Sequence, residues 1–591
     1  MGKVAIIFFA SMAACGITSQ ERGLQVHEKK IVSHEITDFH QIITTMKTMY
    51  IDKTLFVKDA LEDPFKIMII SRPARFGKTL MMSTLDYFLN HRHLKHQSIF
   101  NGLHIMADTT ALQLFRDNFM HKHIVIFLTF DTMKCTSFKE AYAEFLNIIR
   151  KVIKDNVYIL EGSKESDNCR NKRFKELLSA NISQNEAQDS IKLLSKHLTE
   201  YHKDDEIQKQ IIVLIDGYDV PLHSAYIHGY YSEMESIMKG FLQATLISNR
   251  YVHKCVITGL TNTGKESIFS HKDTFKVDTI FEEPFDEYFG FTHEDVKDLI
   301  GRTRNSDKNN TFTHLNKMFG GYTFGRIEML NPWSVNRYLI FKNGDLGVAS
   351  LSTQILQKLL TENGLYPIVM IQRLIEGERL SAISSSETFI FSNLKKSLFA
   401  DWSYLSQLGY FDAHIYLVYV GVLNLTIRVP NAEVKSELVA TLRKVSDSTS
   451  LKIPNYRDMI TKLVNGDVLT AKESMKIYLT NAGQYLQVHG KDGKERFTES
   501  FCKYAIDILK GVGFQQHTDL KIDRWPENIT VEFESKHRGI SVRITLKRIN
   551  KLRFSWNKVK RRFCRNINKN DGKLIEMIIY FDRSFVDICT E

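Results

Sequence analysis

The stretch FKIMIISRPARFGKT, residues 65–79, decides the fold class of this chain. Its first part, Phe65–Ser71, is a short continuous apolar run, which is typical of a β-strand buried on both faces. A loop over 72–78 follows, and Thr79–Leu89 has the apolar periodicity of a helix. A helix N-terminus preceded by a loop of free backbone N–H groups attracts anions, so this order indicates a phosphate-binding loop.

Three more apolar runs have the same character as the first. They lie at 123–130, 208–215 and 252–258, and helical patterns at 138–155 and 233–248 separate them. Strands that alternate with helices predict an α/β fold in which helices cover both faces of a parallel sheet.

The phosphate-loop motif at Ser71–Thr79 predicts roles for individual residues. Lys78 would reach the β- and γ-phosphates of a nucleotide, and the Thr79 hydroxyl would ligate Mg²⁺. The pattern G-x-x-x-x-G-K-[ST] places a glycine at position 72, where this chain has Arg72. Because Gly-Lys-Thr is common by chance, an ordinary basic turn is the alternative interpretation.

The run 211–219, IIVLIDGYD, is an apolar strand that ends in an acidic residue. In additional-strand ATPases such an acid, here Asp216, holds the metal through water, and a Glu follows it to polarise the attacking water. The next residue here is Gly217, which cannot act as a general base. Asp219 is therefore the predicted catalytic residue, provided that its side chain turns into the site. The alternative is an acid that merely ends a buried strand.

Several motifs taken in order resemble the AAA-ATPase-like family. Their sequence and spacing match over residues 38–340, and two more motifs extend the likeness towards residue 440. The motifs lie at 50–54, 72–79, 215–222, 258–260, 265–270, 289–292, 321–325 and 331–335, and the two extensions at 408–411 and 429–434. The family loop usually reads RPRRFGKS, so an arginine at position 72 is typical of it.

The resemblance implies a P-loop NTPase domain that binds ATP and Mg²⁺. The implied metal ligands are Thr79 and Asp216. Two departures stand out, because the family has Glu where this chain has Gly217 and Arg where it has Asn262. They remove a water-activating carboxylate and a cation, so we expect weak or absent hydrolysis. The implied nucleotide-binding residues are Arg72, Pro73, Arg75, Phe76, Gly77, Lys78, Thr79, Asp216 and Thr258.

The resemblance also predicts the order of the remaining domains. A lid-like region of helices and strands is expected at 341–445, a helical connector at 446–490, and a small α+β domain at 491–591. Many family members end in a PD-(D/E)xK nuclease-like domain, and a helix at 499–511 followed by two strands fits that layout. Lys547 matches the nuclease lysine, but Thr545 stands where the Glu should be. We therefore expect a degenerate nuclease domain that does not cleave.

One segment carries the whole basic excess of the chain. Residues 536–570 hold thirteen Lys and Arg and no Asp or Glu, and subtracting thirteen from the net charge of +11 leaves −2 elsewhere. Such a density of cations with interleaved aromatic residues favours nucleic-acid binding. The alternatives are a solvated basic face and a surface for an anionic membrane or an acidic protein. The predicted contact residues are Lys547, Arg548, Lys551, Arg553, Trp556, Lys558, Lys560, Arg561, Arg562 and Arg565.

The amino-terminal residues 1–16 are typical of a secretory signal peptide, with Lys3 ahead of an apolar run and small residues. This favours a secreted protein; a buried first element in a cytoplasmic protein is the alternative. The seven cysteines form no CxxC, which argues against a zinc ribbon and a disulfide scaffold. No later run reaches 18 apolar residues, so we expect no transmembrane helix. A secreted, non-catalytic effector is the competing function; the oligomeric state is left open.

Overall fold

The computed structural model describes the chain from residue 37 onwards with gaps, and it divides into two compact units. The first unit comprises Met1–Gln354 and Arg379–Glu437, and the second comprises Ile355–Glu378 and Leu438–Glu591. The described ranges are 37–156, 182–202, 210–262, 275–303, 307–341, 351–362, 365–384, 398–419, 422–449, 515–516, 528–535, 540–547, 573–580 and 585–590. The predicted signal peptide and the predicted helix 499–511 lie outside these residues. The predicted connector 446–490 also lies outside them, except for residues 446–449 at the end of a described helix.

The centre of the first unit is a five-stranded parallel sheet in the order β2-β3-β4-β1-β5. The four strands other than the edge strand β5 are fully or mostly buried, which explains why each of them reads as an apolar run rather than an alternating one. The strands are β1 (Ile67–Ser71), β2 (Ile124–Thr129), β3 (Ile211–Asp216), β4 (Val252–Gly259) and β5 (Phe275–Asp278). The predicted α/β fold with a helix-covered parallel sheet is confirmed.

Helices connect these strands and pack on the sheet. In chain order they are α1 (Phe39–Thr45), α2 (Leu55–Glu62), α3 (Lys78–Leu89), α4 (Thr110–Phe119), α5 (Phe138–Asp155), α6 (Gln184–Tyr201), α7 (Val220–His228) and α8 (Tyr231–Leu242). Apolar side chains of α1 and α3, such as Phe39 and Phe88, form one core with Met68 and Ile70 of β1. This core holds the start of α3 against the end of β1, where the phosphate loop lies.

Further elements of the first unit follow β5. They are α9 (His293–Arg302), α10 (Lys308–Phe319), the hairpin β6 (Tyr322–Phe324) and β7 (Ile327–Met329), and α11 (Pro332–Phe341). An antiparallel sheet in the order β8-β10-β9 is built from β8 (Leu380–Ser384), β9 (Asp412–Tyr419) and β10 (Val422–Arg428). The remaining helices of the chain are α12 (Leu351–Glu362), α13 (Leu365–Ile375), α14 (Leu398–Gln407) and α15 (Ala432–Thr449).

The second unit contains a mixed sheet in the order β11-β12-β13-β14-β15. Strands β12 and β13 run antiparallel, with Thr530 opposite Thr545, and β13 runs parallel to β14. The strands are β11 (Gln515–Gln516), β12 (Asn528–Ser535), β13 (Ile540–Lys547), β14 (Lys573–Tyr580) and β15 (Phe585–Thr590). Among the helices that the structure describes, none is long and apolar enough to cross a membrane.

The structure differs from the sequence-based predictions at several element ends. The sequence of residues 39–51 has the pattern of a single helix, but the helix ends at Thr45, and a short 3₁₀ turn, Lys47–Met49, follows it. The helix predicted at 233–248 begins at Tyr231 and ends at Leu242, and a π turn occupies Gln243–Ile247. Such boundaries are set by caps and local hydrogen bonds, which apolar periodicity does not encode.

Candidate functional site

The loop between β1 and α3 forms an open cradle at the carboxyl end of the sheet. Gly77 caps α3 in the left-handed region with φ +87°, and Arg75 has φ +69°. A glycine at the cap lets the chain turn sharply, so the first backbone N–H groups of α3 face the loop. Such a turn is suited to a phosphate group, as the sequence predicts.

Lys78 occupies the hollow of this loop. Its Nζ donates hydrogen bonds to the carbonyl oxygens of Arg72 at 2.9 Å and Pro73 at 2.7 Å. Burial lowers the pKa of Lys78, while the nearby charges of Asp216 and Asp219 oppose that change. A half-buried ammonium that donates to carbonyl groups is suited to pair with an anion that enters the loop.

Asp216 ends β3 beside the loop, as the sequence predicts. Its Oδ1 accepts a hydrogen bond from the Thr258 hydroxyl, and its Oδ2 is buried without a hydrogen-bond partner. Burial raises the pKa of Asp216, and the hydroxyl groups of Thr258 and the nearby Thr79 oppose that rise. An orphaned carboxylate oxygen next to a threonine hydroxyl matches the oxygen ligands that Mg²⁺ prefers. Asp216 and Thr79 therefore fit a magnesium site.

Thr258 has a different role from the predicted nucleotide contact. It lies on β4, paired in register with Asp216 on β3, and both side chains are buried. Because its hydroxyl donates to Asp216, Thr258 orients the acid rather than facing the loop. β4 thus separates the loop strand β1 from the acidic strand β3, which is the arrangement of additional-strand ATPases.

Asp219 does not do what the sequence predicts, and we correct that assignment. Its Oδ2 accepts hydrogen bonds from the Thr261 backbone N–H at 2.8 Å and from His223 Nε2 at 2.9 Å, and the Leu260 N–H lies 3.1 Å from its Oδ1. Burial raises the pKa of Asp219, but His223 and the backbone donors lower it by more, so the net pKa falls. Fully buried and held by these donors, Asp219 fixes the β4 end instead of activating water.

Sequence reasoning missed Asp131, an acidic residue whose carboxylate lies beside Gly217. Asp131 follows β2, and a Cβ atom at Gly217 would lie 2.6 Å from its Oδ1. Desolvation by the surrounding strand ends and the charge of Asp216 raise the pKa of Asp131 to about 6, although its side chain remains accessible. The available signal was its position one residue after an apolar strand, because carboxyl ends of parallel strands meet at one edge.

Arg72, predicted to bind nucleotide, is a structural residue, and this assignment is also corrected. Its side chain is buried and pairs with Asp278 at the end of β5, with 2.5 Å between Nη2 and Oδ1. The guanidinium lies 5.4 Å from the ring centroids of both Phe289 and Phe324. These contacts hold the side chain of Arg72 at β5, while its backbone carbonyl accepts a hydrogen bond from Lys78 in the loop.

Three other predicted loop residues pack the cradle against its surroundings. Phe76 is buried, with its ring 5.0 Å from that of Tyr322 on β6. The Arg75 guanidinium stacks on the Trp333 ring at 3.9 Å. Pro73 faces Gly409, where a Cβ atom would lie 2.8 Å from the Pro73 Cβ. The loop is therefore preformed, which lowers the entropic cost of binding a ligand.

A pocket of about 220 Å³ adjoins the loop. Gly77, Lys78 and Thr79 form its polar wall, and most of the remaining wall is apolar. Apolar pockets with few polar groups are typical of sites for flat aromatic ligands. The apolar lining includes Ile42, Met46, Met49, Tyr50, Ile51, Phe291, Pro332 and Trp333.

The predicted nucleic-acid contacts lie almost wholly outside the described residues. Lys547 is the last residue of β13, and only its backbone is described. Thr545 lies on the same strand, opposite Thr530 and beside Ile578. The other nine, which lie outside the described residues, are Arg548, Lys551, Arg553, Trp556, Lys558, Lys560, Arg561, Arg562 and Arg565. Nucleic-acid binding and the nuclease-like domain stay predictions.

Comparison with solved structures yields only a weak similarity. A chain from the "Structure of Drosophila ORC bound to DNA" is 9% identical, and the match covers 73% of this chain and 94% of that chain with a TM-score of 0.26. At that score the similarity supports no argument. No curated protein matches the chain.

The family comparison is more informative. The family model AAA-ATPase_like, described as "Predicted AAA-ATPase", matches residues 34–269. That segment holds the loop 71–79, Asp131 and Asp216, so the match covers the elements that form the cradle. The likeness of residues 270–440 rests on the quoted motifs alone. Residues 34–269 are an AAA-ATPase-like domain, as the sequence motifs predict.

Proposed function

We propose that this protein binds ATP with Mg²⁺ at the loop 71–79. The observation that supports the proposal most strongly is Lys78, a half-buried ammonium in the hollow of a preformed loop whose hydrogen-bond partners among the described residues are carbonyl oxygens. The triphosphate would accept from Lys78 and from the N–H groups at the start of α3. The pocket beside the loop would hold the base.

Mg²⁺ would be held by the Thr79 hydroxyl and Asp216. When bound, the ion would supply positive charge that neutralises the phosphates. The role of Asp216 is to offer the free Oδ2, and the role of Thr258 is to keep its Oδ1 engaged. The hydrogen bond from Thr258 fixes the direction of the carboxylate before any ligand arrives.

Titration of the full chain with ATP, with and without Mg²⁺, tests this proposal. Lys78→Ala should abolish detectable ATP binding, because the loop loses the ammonium that donates to its Arg72 and Pro73 carbonyls. Lys95→Ala is the matched control, since Lys95 is exposed on the 3₁₀ turn after α3 and should leave affinity unchanged. Unchanged ATP affinity in Lys78→Ala would contradict the proposal.

We further propose that hydrolysis is slow. Gly217 contributes no carboxylate of its own, and Asn262 offers an amide where the resemblance implies a cation. Asn262 is buried, and its backbone N–H donates to Gln407 Oε1 at 2.7 Å. A neutral amide stabilises charge on a γ-phosphate less than a guanidinium does. Turnover comparable with that of ordinary ATPases, at about 1–100 s⁻¹, would contradict slow hydrolysis.

For the second unit we propose nucleic-acid binding through residues 536–570, without cleavage. The thirteen cations of that segment support it. Binding to single-stranded DNA and RNA should weaken steeply as salt rises. A variant with Arg561, Arg562 and Arg565 changed to Gln should bind more weakly, while ATP affinity at the first unit stays constant. Salt-independent binding, or Mg²⁺-dependent cleavage lost in Lys547→Ala, would contradict this part.

Secretion is the remaining part of the proposal, and the segment 1–16 motivates it. Expression of the full chain with a C-terminal tag should yield a mature protein that lacks the first 16 or so residues in the medium. Retention of an intact amino terminus inside the cell would contradict it and favour the cytoplasmic alternative. A secreted protein with no ATP affinity would instead favour the non-catalytic effector.

A further inference from the structure

The space beside Gly217 is filled by a carboxylate from the neighbouring strand. Gly217 has φ +68°, in the left-handed region, and a Cβ atom there would lie 2.6 Å from Asp131 Oδ1 and 3.2 Å from Val220 Cγ2. The position directly after Asp216 is the one where the resemblance implies a glutamate. In this chain the position has no side chain, and the carboxylate of Asp131 lies where such a side chain would begin.

Strand pairing fixes this placement. Thr129 of β2 pairs in register with Asp216 of β3, and the Phe130 N–H donates to the Asp216 carbonyl at 2.9 Å. The ladder therefore continues one residue past the strand, which places Phe130 level with Gly217 and Asp131 one residue further along, beside the same turn. The Asp131 N–H lies 3.5 Å from the Thr129 hydroxyl, which shapes the turn at the strand end.

The surroundings of Asp131 suit a group that acts on water. It lies within electrostatic range of Lys78 and Asp216, the two residues that would flank the γ-phosphate and the metal. Its side chain is accessible to solvent. Among the described residues, none donates a hydrogen bond to its carboxylate, whereas Asp219 is fully buried and held by three residues.

We propose that Asp131 orients and deprotonates the water that attacks ATP, in place of the carboxylate that Gly217 lacks. This inference rests on the proposed function, since it requires ATP in the loop. The water oxygen bonds to the γ-phosphorus, and the bond from that phosphorus to the β–γ bridging oxygen breaks. Its electron pair leaves on ADP, and the water proton passes to Asp131 and then to solvent.

The first test is hydrolysis by the full chain at saturating ATP and Mg²⁺. Asp131→Asn should lower kcat about 10²-fold, because the amide keeps the shape but cannot take the proton. Its affinity for ATP should remain within a factor of two or so of the unchanged protein, since binding depends on Lys78. Asp189→Asn is the control, because Asp189 is exposed on α6 and plays no part in the site.

A second test needs no nucleotide. Gly217→Ala should destabilise the protein through its left-handed backbone, through the contact with Asp131 and through the looser contact with Val220. In an Asp131→Ala background the backbone strain and the Val220 contact remain but the Asp131 contact is gone, so the same substitution should lower the unfolding temperature less. Equal losses in both backgrounds would show that Asp131 does not fill the space beside Gly217 and would overturn the inference.

The two proposals fail in different ways. If the unchanged protein does not bind ATP, the proposed function fails, whatever the outcome of the unfolding cycle. If it binds ATP but does not hydrolyse it, or if Asp131→Asn hydrolyses at the same rate as the unchanged protein, only the role of Asp131 fails. Loss of ATP affinity in Asp131→Asn would make Asp131 a binding residue and would also overturn the role in water activation.

Discussion

Arg72 and Asp278 form a buried ion pair that ties the phosphate loop to the edge strand β5, with 2.5 Å between Nη2 and Oδ1. Both side chains are almost completely buried. Burial raises the pKa of Asp278, and the guanidinium opposes that rise only in part. The pair is thus costly to desolvate, and its main consequence is to fix the direction in which the loop leaves β1.

Removal of one partner should be far more harmful than removal of both. Asp278→Leu leaves the Arg72 charge buried and unpaired, so it should lower the free energy of unfolding by about 3–5 kcal/mol. The double variant Arg72→Met and Asp278→Leu should recover most of this loss, because an apolar pair needs no hydrogen bonds. Urea unfolding of the first unit would measure both. A double variant no more stable than Asp278→Leu would contradict this account.

Gly409 should control the shape of the loop through Pro73. It has φ +93°, and a Cβ atom there would lie 2.8 Å from the Pro73 Cβ. Gly409→Ala should therefore push Pro73 and weaken ATP binding about tenfold, which corresponds to about 1.4 kcal/mol. Titration with ATP would measure it.

Gly229→Ala provides the matched control for Gly409→Ala. Gly229 has φ +86°, but a Cβ atom there would meet no atom within 4 Å. Both variants carry left-handed strain of about 1–2 kcal/mol. Only Gly409→Ala should also change ATP affinity. An equal effect of both variants on affinity would mean that strain, and not the contact with Pro73, is responsible.

The sequence predicted the buried strands of the parallel sheet well and the short or exposed strands less well. Apolar runs located β1 to β4 because strands covered on both faces have no polar positions to interrupt them. β5 (Phe275–Asp278) was missed, since an edge strand of four residues with a lysine in it has no such signature. The short strands β6 and β7 were missed for the same reason.

The sequence predicted the positions of candidate site residues that belong to one continuous segment. It did not predict relationships that depend on a partner from another strand. Lys78 and Thr79 lie in the loop whose motif identified them, and Asp216 lies at the end of the strand from which it was predicted. Arg72 was assigned wrongly because its partner, Asp278, is 206 residues away. Asp131 was overlooked because its relation to Gly217 depends on the register of two strands, which single-strand patterns do not give.

The apolar pocket beside Lys78 should bind the base rather than the phosphates. Met46 lines that pocket and is 5% exposed. Met46→Trp would fill part of its volume and should weaken ATP binding about tenfold, or about 1.4 kcal/mol. Affinity for inorganic triphosphate should not change, because the loop is untouched. Equal losses for the two ligands would show that the pocket does not hold the base.

His123 should make the stability of the first unit depend on pH. Burial lowers its pKa from 6.5 to about 4, with help from the charges of His253 and Lys122, against hydrogen bonds to the Phe119 carbonyl and the Gln210 side chain that raise it. Above pH 6.5 the ring is neutral in both the folded and the unfolded chain, so its contribution to stability is then complete.

As the pH falls below 6.5, the unfolded chain takes up the proton first, and stability is lost until the pH nears 4. The loss should reach about 2 kcal/mol at pH 5, because each pH unit corresponds to about 1.4 kcal/mol per proton. His123→Asn removes the titrating ring and keeps a donor for the Phe119 carbonyl, which lies 3.1 Å from His123 Nδ1. Its unfolding free energy should therefore fall less between pH 7 and pH 5 than that of the unchanged protein. Parallel curves for the two proteins over this range would show that His123 does not carry the pH dependence.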